Sequence, residues 1–550
     1  MPYKHGVYVS EQDTSLTVPI EGTAGLQVIF GTSPVNMTAD PYHAANVPKI
    51  CYSFAEAVQN MGYSDDFDKY TLCQSIDASF RVFNVAPIIC INVLDPANPK
   101  HVTAVEPDLY TLQKDKATLG ERVYSYAITT DTSYQSGKTY YTKSGDTYTS
   151  VENPSGSISG EVYERVLLSE SGAFGVLRDT VTVQSADGSV TYTENADYIT
   201  AFDTEGSVVV TRLDKGRIPA GASLLIGFTV LNPDGVRASD IIGGVNAATD
   251  ALTGLELVNR IYPMFGMTPG LLLAPGFADD PNVIAALEAK CTGISGCFKA
   301  ECLVDISSDA DRAALSIPTA AVKYADVKTA KENCGIDSAH TIACWPYGLI
   351  GEKRYALSAI VAAQIAYNDA MNNDTPNLYA SNKSNGLTGA CLADGTRVLL
   401  DQEQGNLLNS YGVFTTINRN GYITWGNNTA VYPSKTDPKD RWLGVRRMFT
   451  WWSNTLILTY FQRVDDPMNY RLIENIVDSE NIRGNGFMAR GLVADAHVEF
   501  RAGENPVTSL LDGTITFHLF LTPFPPAEDI EFILEFDPNA LVSALNGGES

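Results

Sequence analysis

Basic residues are scarce in this chain. Its 550 residues hold 64 Asp and Glu against 38 Lys and Arg, a formal net charge of -26 with a pI near 4.6. Contact with a phosphate backbone needs a basic footprint, so nucleic acid is excluded as an expected partner. Histidine is scarcer still, with six in all, which leaves few general bases. No Gly-x-x-x-x-Gly-Lys-Ser/Thr occurs, so a phosphate-cradling loop is missing. There is no Cys-x-x-Cys among the nine cysteines. The tightest group, Cys291, Cys297 and Cys302, fits no zinc spacing and has no His beside it. Most of the nine cysteines read as buried thiols of a reducing compartment. The longest apolar stretches, such as Ala86 to Leu94, fall far short of the ~20 residues that cross a bilayer. Met1-Pro2-Tyr3-Lys4-His5-Gly6 leads into no apolar signal core. The expectation is no metal, no cofactor and no membrane insertion.

What the chain does have is ample apolar content, 44%, in a length suited to three or four domains. It also has strand-like runs near its ends. Leu492, Ala494, Ala496, Val498 and Phe500 alternate with Asp495, His497 and Glu499. Ile515, Phe517, Leu519 and Leu521 alternate with Thr516, His518 and Phe520. After Pro523-Phe524-Pro525-Pro526 come Ile530, Phe532, Leu534 and Phe536, interleaved with Glu531 and Glu535. Period two marks a half-buried strand, and proline cannot donate to a ladder. The last run is therefore expected as a strand on a stiff, unpaired tether. Near the other end, Gly6-Val7-Tyr8-Val9 is a short β-type run inside a segment without helical period. Two loose end strands suggest pairing with a neighbouring copy by β-augmentation. The alternative, that both belong to a sheet within the chain, stays open.

The pattern divides the chain into an arm, 1–22; the first part of a core, 23–100; an all-β insertion, 101–235; an α/β block, 236–395; an α+β block, 396–522; and a second arm, 523–550. In the core, Leu26 to Phe30 and Ile88 to Leu94 read as strands, and Ser53 with Glu56 as a capping box. Thr, Tyr, Ser and Gly dominate the insertion. Tyr140 to Thr149 reads there as a hairpin, Ala186-Asp187-Gly188-Ser189 as a hairpin turn and Asn153 to Gly160 as a loop. Helices are expected over Ala248 to Arg260, from Pro281 through Lys290, over Tyr355 to Met371 and over Arg446 to Phe461. Leu271 to Ala274 and Cys302 to Ile306 are expected strands.

Gly31-Thr32-Ser33 echoes the nucleophile of subtilases, which run Asp, His, Ser along the chain. Only His5 precedes Ser33, and it lacks the surrounding signature. The pairs Asp279-Asp280, Asp465-Asp466 and Glu528-Asp529 abut turns or strand starts, where acids cap and solvate. No enzyme is expected. Phe524 to Ser550 holds six acids and no Lys or Arg, and the preceding stretch is dotted with Arg, from Arg441 to Arg501. Arg446, Arg447 and Arg490, with Glu528, Asp529 and Glu531, are the candidate contact charges between copies or to an inner partner.

Several blocks, in order, carry a resemblance: Tyr3 to Glu11; Leu273-Ala274-Pro275-Gly276-Phe277 with Val283 and Ala286, leading to Val304-Asp305; Leu408-Asn409, Gly412-Val413 and Trp425 to Thr429; Arg446-Arg447; and Gly513 to Pro538. In these the chain resembles the contractile-tail sheath proteins of bacteriophages and phage-like injection particles. The resemblance spans most of the chain except Val102 to about Leu231, and Pro376-Asn377 also departs from it. It implies a subtilisin-like α/β core without a catalytic triad, an all-β insertion on the outside and extended terminal arms. It implies a structural subunit that stacks as six-fold rings around an inner tail tube. Its contraction would drive that tube through a bacterial envelope without nucleotide. The implied partners are further copies of itself, the tube, baseplate proteins and a tail terminator. The subunit would be held in the bacterial cytoplasm during assembly and then in a virion tail or extracellular particle. The other reading of the residues is a glycan-binding or adhesion protein acting through the β insertion.

Overall fold

A computed structural model describes residues 22–114, 140–144, 147–151, 164–168, 174–202, 206–213 and 215–545. Gly6, Val7, Tyr8, Val9 and the rest of the first arm lie outside the described residues, as does the Asn153 to Gly160 loop.

The architecture is mixed α/β, built of several sheets and the helices packed on them. The central sheet has nine strands. In chain order they are β1 (Gln27–Gly31), β2 (Lys49–Cys51), β3 (Ile88–Asn92), β4 (Leu271–Leu273), β5 (Glu301–Asp305), β6 (Thr341–Cys344), β7 (Lys383–Ser384), β8 (Val413–Asn418) and β9 (Tyr422–Trp425). Their spatial order is β2-β3-β1-β4-β5-β6-β8-β9-β7. The six strands from β3 to β8 in that order pair in parallel, and the outer strands are antiparallel. Every residue of β1, β3, β4, β5 and β6 is buried. That is why these strands read as continuous apolar runs such as Ile88-Ile89-Cys90-Ile91: helices cover both faces of a parallel sheet. The sheet takes strands from both sides of position 395, so the expected division at 395/396 falls inside it.

The helices follow local signals. Ser53 caps α1 (Phe54–Met61) by accepting from the Glu56 N–H at 3.2 Å, and the Glu56 carboxylate accepts from the Tyr52 N–H at 2.9 Å. Asp280 caps α3 (Pro281–Lys290), following α2 (Thr71–Asp77), by accepting from the Asn282 N–H. Helix α4 (Leu357–Met371) is apolar on nearly all sides and correspondingly buried. Its N-cap, Ala356, has no acceptor to offer. Asp305 at the end of β5 does the capping from outside, accepting from the Ser358 N–H at 3.0 Å and its hydroxyl at 2.5 Å. Burial pushes the Asp305 carboxyl up to about 7 against the pull of those two bonds.

The helix expected over Ala248 to Arg260 is a correction. The segment opens as a hairpin, Gly244–Val245 against Leu252–Thr253, and coils as a 3-10 turn only from Gly254 to Arg260. Asn246 decides this: its side chain accepts from the Ala248 N–H and its carbonyl from the Asp250 N–H, closing a tight turn.

The insertion leaves and re-enters through one neck. Strand Val102–Thr111 lies antiparallel to Ser223–Leu231 with Val102 opposite Leu231, and the Asn232 N–H donates to the His101 carbonyl at 2.7 Å. Strand Val176–Ser185 pairs on the other side of Ser223–Leu231. A second sheet of four strands completes the insertion's main body, which has its own apolar cluster around Val183, Val208 and Ile226. Tyr140–Ser144 and Thr147–Val151 pair as the expected hairpin.

Candidate inter-subunit interface

Past the central sheet the chain builds a separate apolar lobe. Helices α5 (Leu443–Tyr460) and α6 (Tyr470–Ala489) pack under a two-stranded antiparallel sheet, β10 (Val493–Glu499) and β11 (His518–Pro523). Met448, Trp451, Trp452, Phe487, Val493, Ala496 and Leu521 form its core. The Arg483 guanidinium lies 4.2 Å from the Trp452 ring centre. A bulge between Val493 and Asp495 shifts the register of β10. Val493, Ala496 and Val498 therefore face inward and Ala494 outward, which corrects the unbroken alternation expected for Ala494. On the open face the His497 ring stacks on Phe520 at 4.6 Å. Ile515 and Phe517 come before β11 begins and are half-buried, as are Leu492 and Leu519.

The two edges of this small sheet differ. Asn481 of α6 reaches the outer side of β10, donating to the Val498 carbonyl at 3.3 Å and accepting from the Val498 N–H at 2.7 Å. Gly484 closes the same edge, since a Cβ there would meet the Ala496 carbonyl oxygen at 1.9 Å. In an antiparallel pair, residues that point outward sit opposite residues that also point outward. Val498 faces Leu519 and Ala496 faces Leu521, so the N–H and C=O groups of Leu519 and Leu521 point away from β10. On that side β11 pairs with no strand among the described residues. Among the described residues the sheet thus has one edge closed by a helix and one edge open.

The N-terminal end of the described chain roots in this lobe, and the segment that leaves β11 is tied to residues beside it. The Gly22 N–H donates to Thr455 Oγ1 at 3.1 Å, and Trp451 Nε1–H donates to the Gly22 carbonyl at 2.7 Å. At the other end the Tyr379 hydroxyl donates to the Phe524 carbonyl at 3.0 Å, and Arg441 meets Glu528 at 3.2 Å. From there 529–537 runs without regular structure to a short helix, α7 (Pro538–Leu545). The expected third strand is a correction within one chain: Ile530, Phe532, Leu534 and Phe536 are 68%, 83%, 95% and 78% exposed. A strand needs a ladder partner, and this run meets none among the described residues.

The candidate charges scatter. Arg447 is not at the surface. It is 2% exposed and bonds Asp369 through both Nη atoms, and the Ala24 carbonyl as well. Burial pushes the Asp369 carboxyl above the usual carboxylate range, and Arg447 counters that push. Arg447 is a tie between α5 and α4, which excludes it as a contact charge. Arg446 is mostly covered and lies 3.5 Å from Asp440. Arg490 sits over the Phe487 ring at 4.3 Å. Asp529 and Glu531 are exposed. The structure joins Glu528 to Arg441, closes the β10 edge with Asn481 and Gly484, and sets Tyr379 on the Phe524 carbonyl. Sequence spacing held no sign of these partners: Arg441 and Glu528 stand 87 positions apart.

Open parallel sheets often bind ligands at the carboxyl ends of their strands. Here Thr71 packs closely against the ends of β1 and β4. Thr71 lies where a Cβ on Gly31 or Gly276 would be, 2.6 Å away in each case. Ser33 is fully buried, and its Oγ has no hydrogen-bond partner among the described residues.

No family model matches the chain. It is 24% identical over 552 residues to the tail sheath protein of Burkholderia phage BcepMu, covering 99% of both chains. Over its whole length the chain is similar to a contractile-tail sheath protein. A shorter match, 31% identical over 150 residues, joins this sheath subunit to the tail sheath protein of Escherichia phage P2, covering 26% of this chain and 36% of that one. Two solved sheaths share its fold. One is the PVC sheath complex of an extracellular contractile injection system in the contracted state, with TM-score 0.50 and 12% identity over 98% of this chain and 99% of that one. The other is the helical sheath of the anti-feeding prophage, also contracted, with TM-score 0.50 and 14% identity over 97% and 98%. The subunit is a structural protein of a contractile tail sheath and a component of a phage-type tail or extracellular particle.

Proposed function

We propose that the subunit polymerises by strand exchange at the C-terminal lobe. The open edge of β11 takes strands from neighbouring copies, and Ile530 to Phe536 is one of them. The observation that carries this is the pairing of an unfilled edge at Leu519 and Leu521 with an unpaired, alternating apolar run in the same chain. Val7-Tyr8-Val9 of the first arm is the second candidate strand, supported by the rooting of Gly22 on Trp451 in that lobe. Each ladder bond adds a net ~0.5–1.5 kcal/mol. Burial of four large apolar side chains adds up to ~1.5–3 kcal/mol each. One such connection reaches ~10 kcal/mol before ordering costs, well above the ~0–1 kcal/mol of an exposed ion pair. Strand connections would therefore persist while weaker polar contacts exchange as rigid bodies rotate.

In this reading the copies stack as six-fold rings around an inner tube, with baseplate and terminator partners and assembly in the bacterial cytoplasm; the likeness to sheath proteins supports it. The parallel sheet supports the subtilisin-like reading of the core. Arg490, Asp529 and Glu531 remain candidates for exchangeable polar contacts. Deleting Pro525 to Ser550 tests the arm. The expected product is a folded subunit by circular dichroism that builds no tubes in negative stain. Normal tubes from the truncated chain would refute the proposal.

A further inference from the structure

Arg441 is built into its surroundings more firmly than a surface arginine needs to be. Its guanidinium lies 4.3 Å from the Tyr432 ring centre and 3.9 Å from that of Trp442. Its Nε–H donates to Asn428 Oδ1 at 2.9 Å, and its Nη2 donates to Glu528 Oε2 at 3.2 Å. Two aromatic rings and an amide thus fix the plane of the fork before it meets the carboxylate. Among the described residues, Glu528 is the last of the C-terminal segment tied to the body in this way. Beyond it the side chains are largely exposed.

We propose that Arg441 is the positioning residue of the C-terminal arm, clasping Glu528 so that the arm's free strand starts immediately after it. This rests on the strand-exchange reading given above. With the clasp shut, Ile530 is about 7 Å of extended chain from its anchor; with it open, the anchor retreats to Phe524, about 20 Å away. Effective concentration falls roughly as the -3/2 power of tether length, so opening the clasp costs about fivefold in the arm's local concentration at a neighbour's edge. Pro525 and Pro526 lie inside the clasped span and stiffen it. The clasp therefore sets the direction in which the strand leaves as well as its reach. The pivot for any rotation between subunits is placed after Glu528.

Two measurements on the full-length chain test this. On the unassembled subunit, a Glu-specific protease should cut after Glu528 slowly and after Glu531 quickly. Arg441→Ala or Arg441→Gln should raise cleavage at position 528 several-fold and leave cleavage after Glu531 unchanged. A variant that merely loosened the body would accelerate both. The second measurement is the critical concentration for tube formation by sedimentation. It should rise about fivefold in Arg441→Ala and in Glu528→Ala, and no further in the double variant Arg441→Ala with Glu528→Ala, because both changes open the same clasp. Equal cleavage at both sites in the wild type would overturn the clasp. An unchanged critical concentration in both single variants would overturn its positioning role. If the arm-deleted chain assembles normally, strand exchange fails instead, and the cleavage pattern still reports on the clasp.

Discussion

Proline at adjacent positions of β11 should have opposite consequences. Leu519 turns its N–H away from β10, toward the open edge, while Phe520 lies opposite His497 and uses its N–H within the pair. Leu519→Pro therefore removes no hydrogen bond from the subunit's own fold, and proline is tolerated on an edge strand whose N–H faces outward. The cost to the fold is part of one half-buried side chain, about 1 kcal/mol. At the edge, the same change deletes one ladder bond and places a ring where an incoming backbone must lie. Loss of that bond and its neighbour is about 1–3 kcal/mol per connection, a factor of about 5–150 in each contact, and every connection in the polymer carries it. Phe520→Pro instead breaks the β10–β11 pair and should cost the fold itself about 3 kcal/mol or more. The assay is thermal unfolding by circular dichroism, followed by sedimentation and negative stain over a concentration series. Leu519→Pro is expected to melt within a few degrees of wild type and form no tubes at concentrations where wild type is fully assembled. Phe520→Pro is expected to melt early. Tubes from Leu519→Pro at the wild-type critical concentration would show that the outer edge of β11 is not where copies join.

Two further changes probe the arm and the core. Phe532→Asp should abolish assembly, because a charge on the apolar face must be buried without a partner at a cost of several kcal/mol. Glu531→Gln on the opposite face should leave sedimentation nearly unchanged, and the reverse outcome would mean the faces are exchanged. Asp305→Asn should stabilise the subunit at pH 8 and matter little near pH 4. The folded carboxyl titrates at about 7 against an ordinary 3.8, so the folded state keeps a proton that the unfolded chain releases between those values, and stability falls as pH rises through that window. Full ionisation is worth roughly 4 kcal/mol. A thermal shift that does not depend on pH would refute the assignment.

Sequence alone determined the elements whose signals are local. Buried strands such as Ile88 to Asn92 announced themselves as unbroken apolar runs, because a strand covered on both faces has no polar side to show. Ser53 and Glu56 gave the start of α1, and Asp280 with Pro281 that of α3, since capping is settled within three residues. The ordered blocks from Leu273 to Pro538 were enough to point to the family. The alternation of Ile530 to Phe536 suggested a strand, but period two cannot say which sheet would supply the ladder, and within the described residues the run forms none. Tertiary structure decided the rest, because it depends on residues far apart in the chain. It closed one edge of the small sheet with Asn481 and Gly484 and left the other open. It drew Arg447 inward onto Asp369, and the neighbouring Arg446 toward Asp440, although the two arginines look alike in sequence. It turned Ala494 outward through a bulge of a single residue. It brought Arg441 to Glu528 across 87 positions. Charge and hydropathy fix which residues can make such contacts; only the packing of one element on another fixes which of them meet.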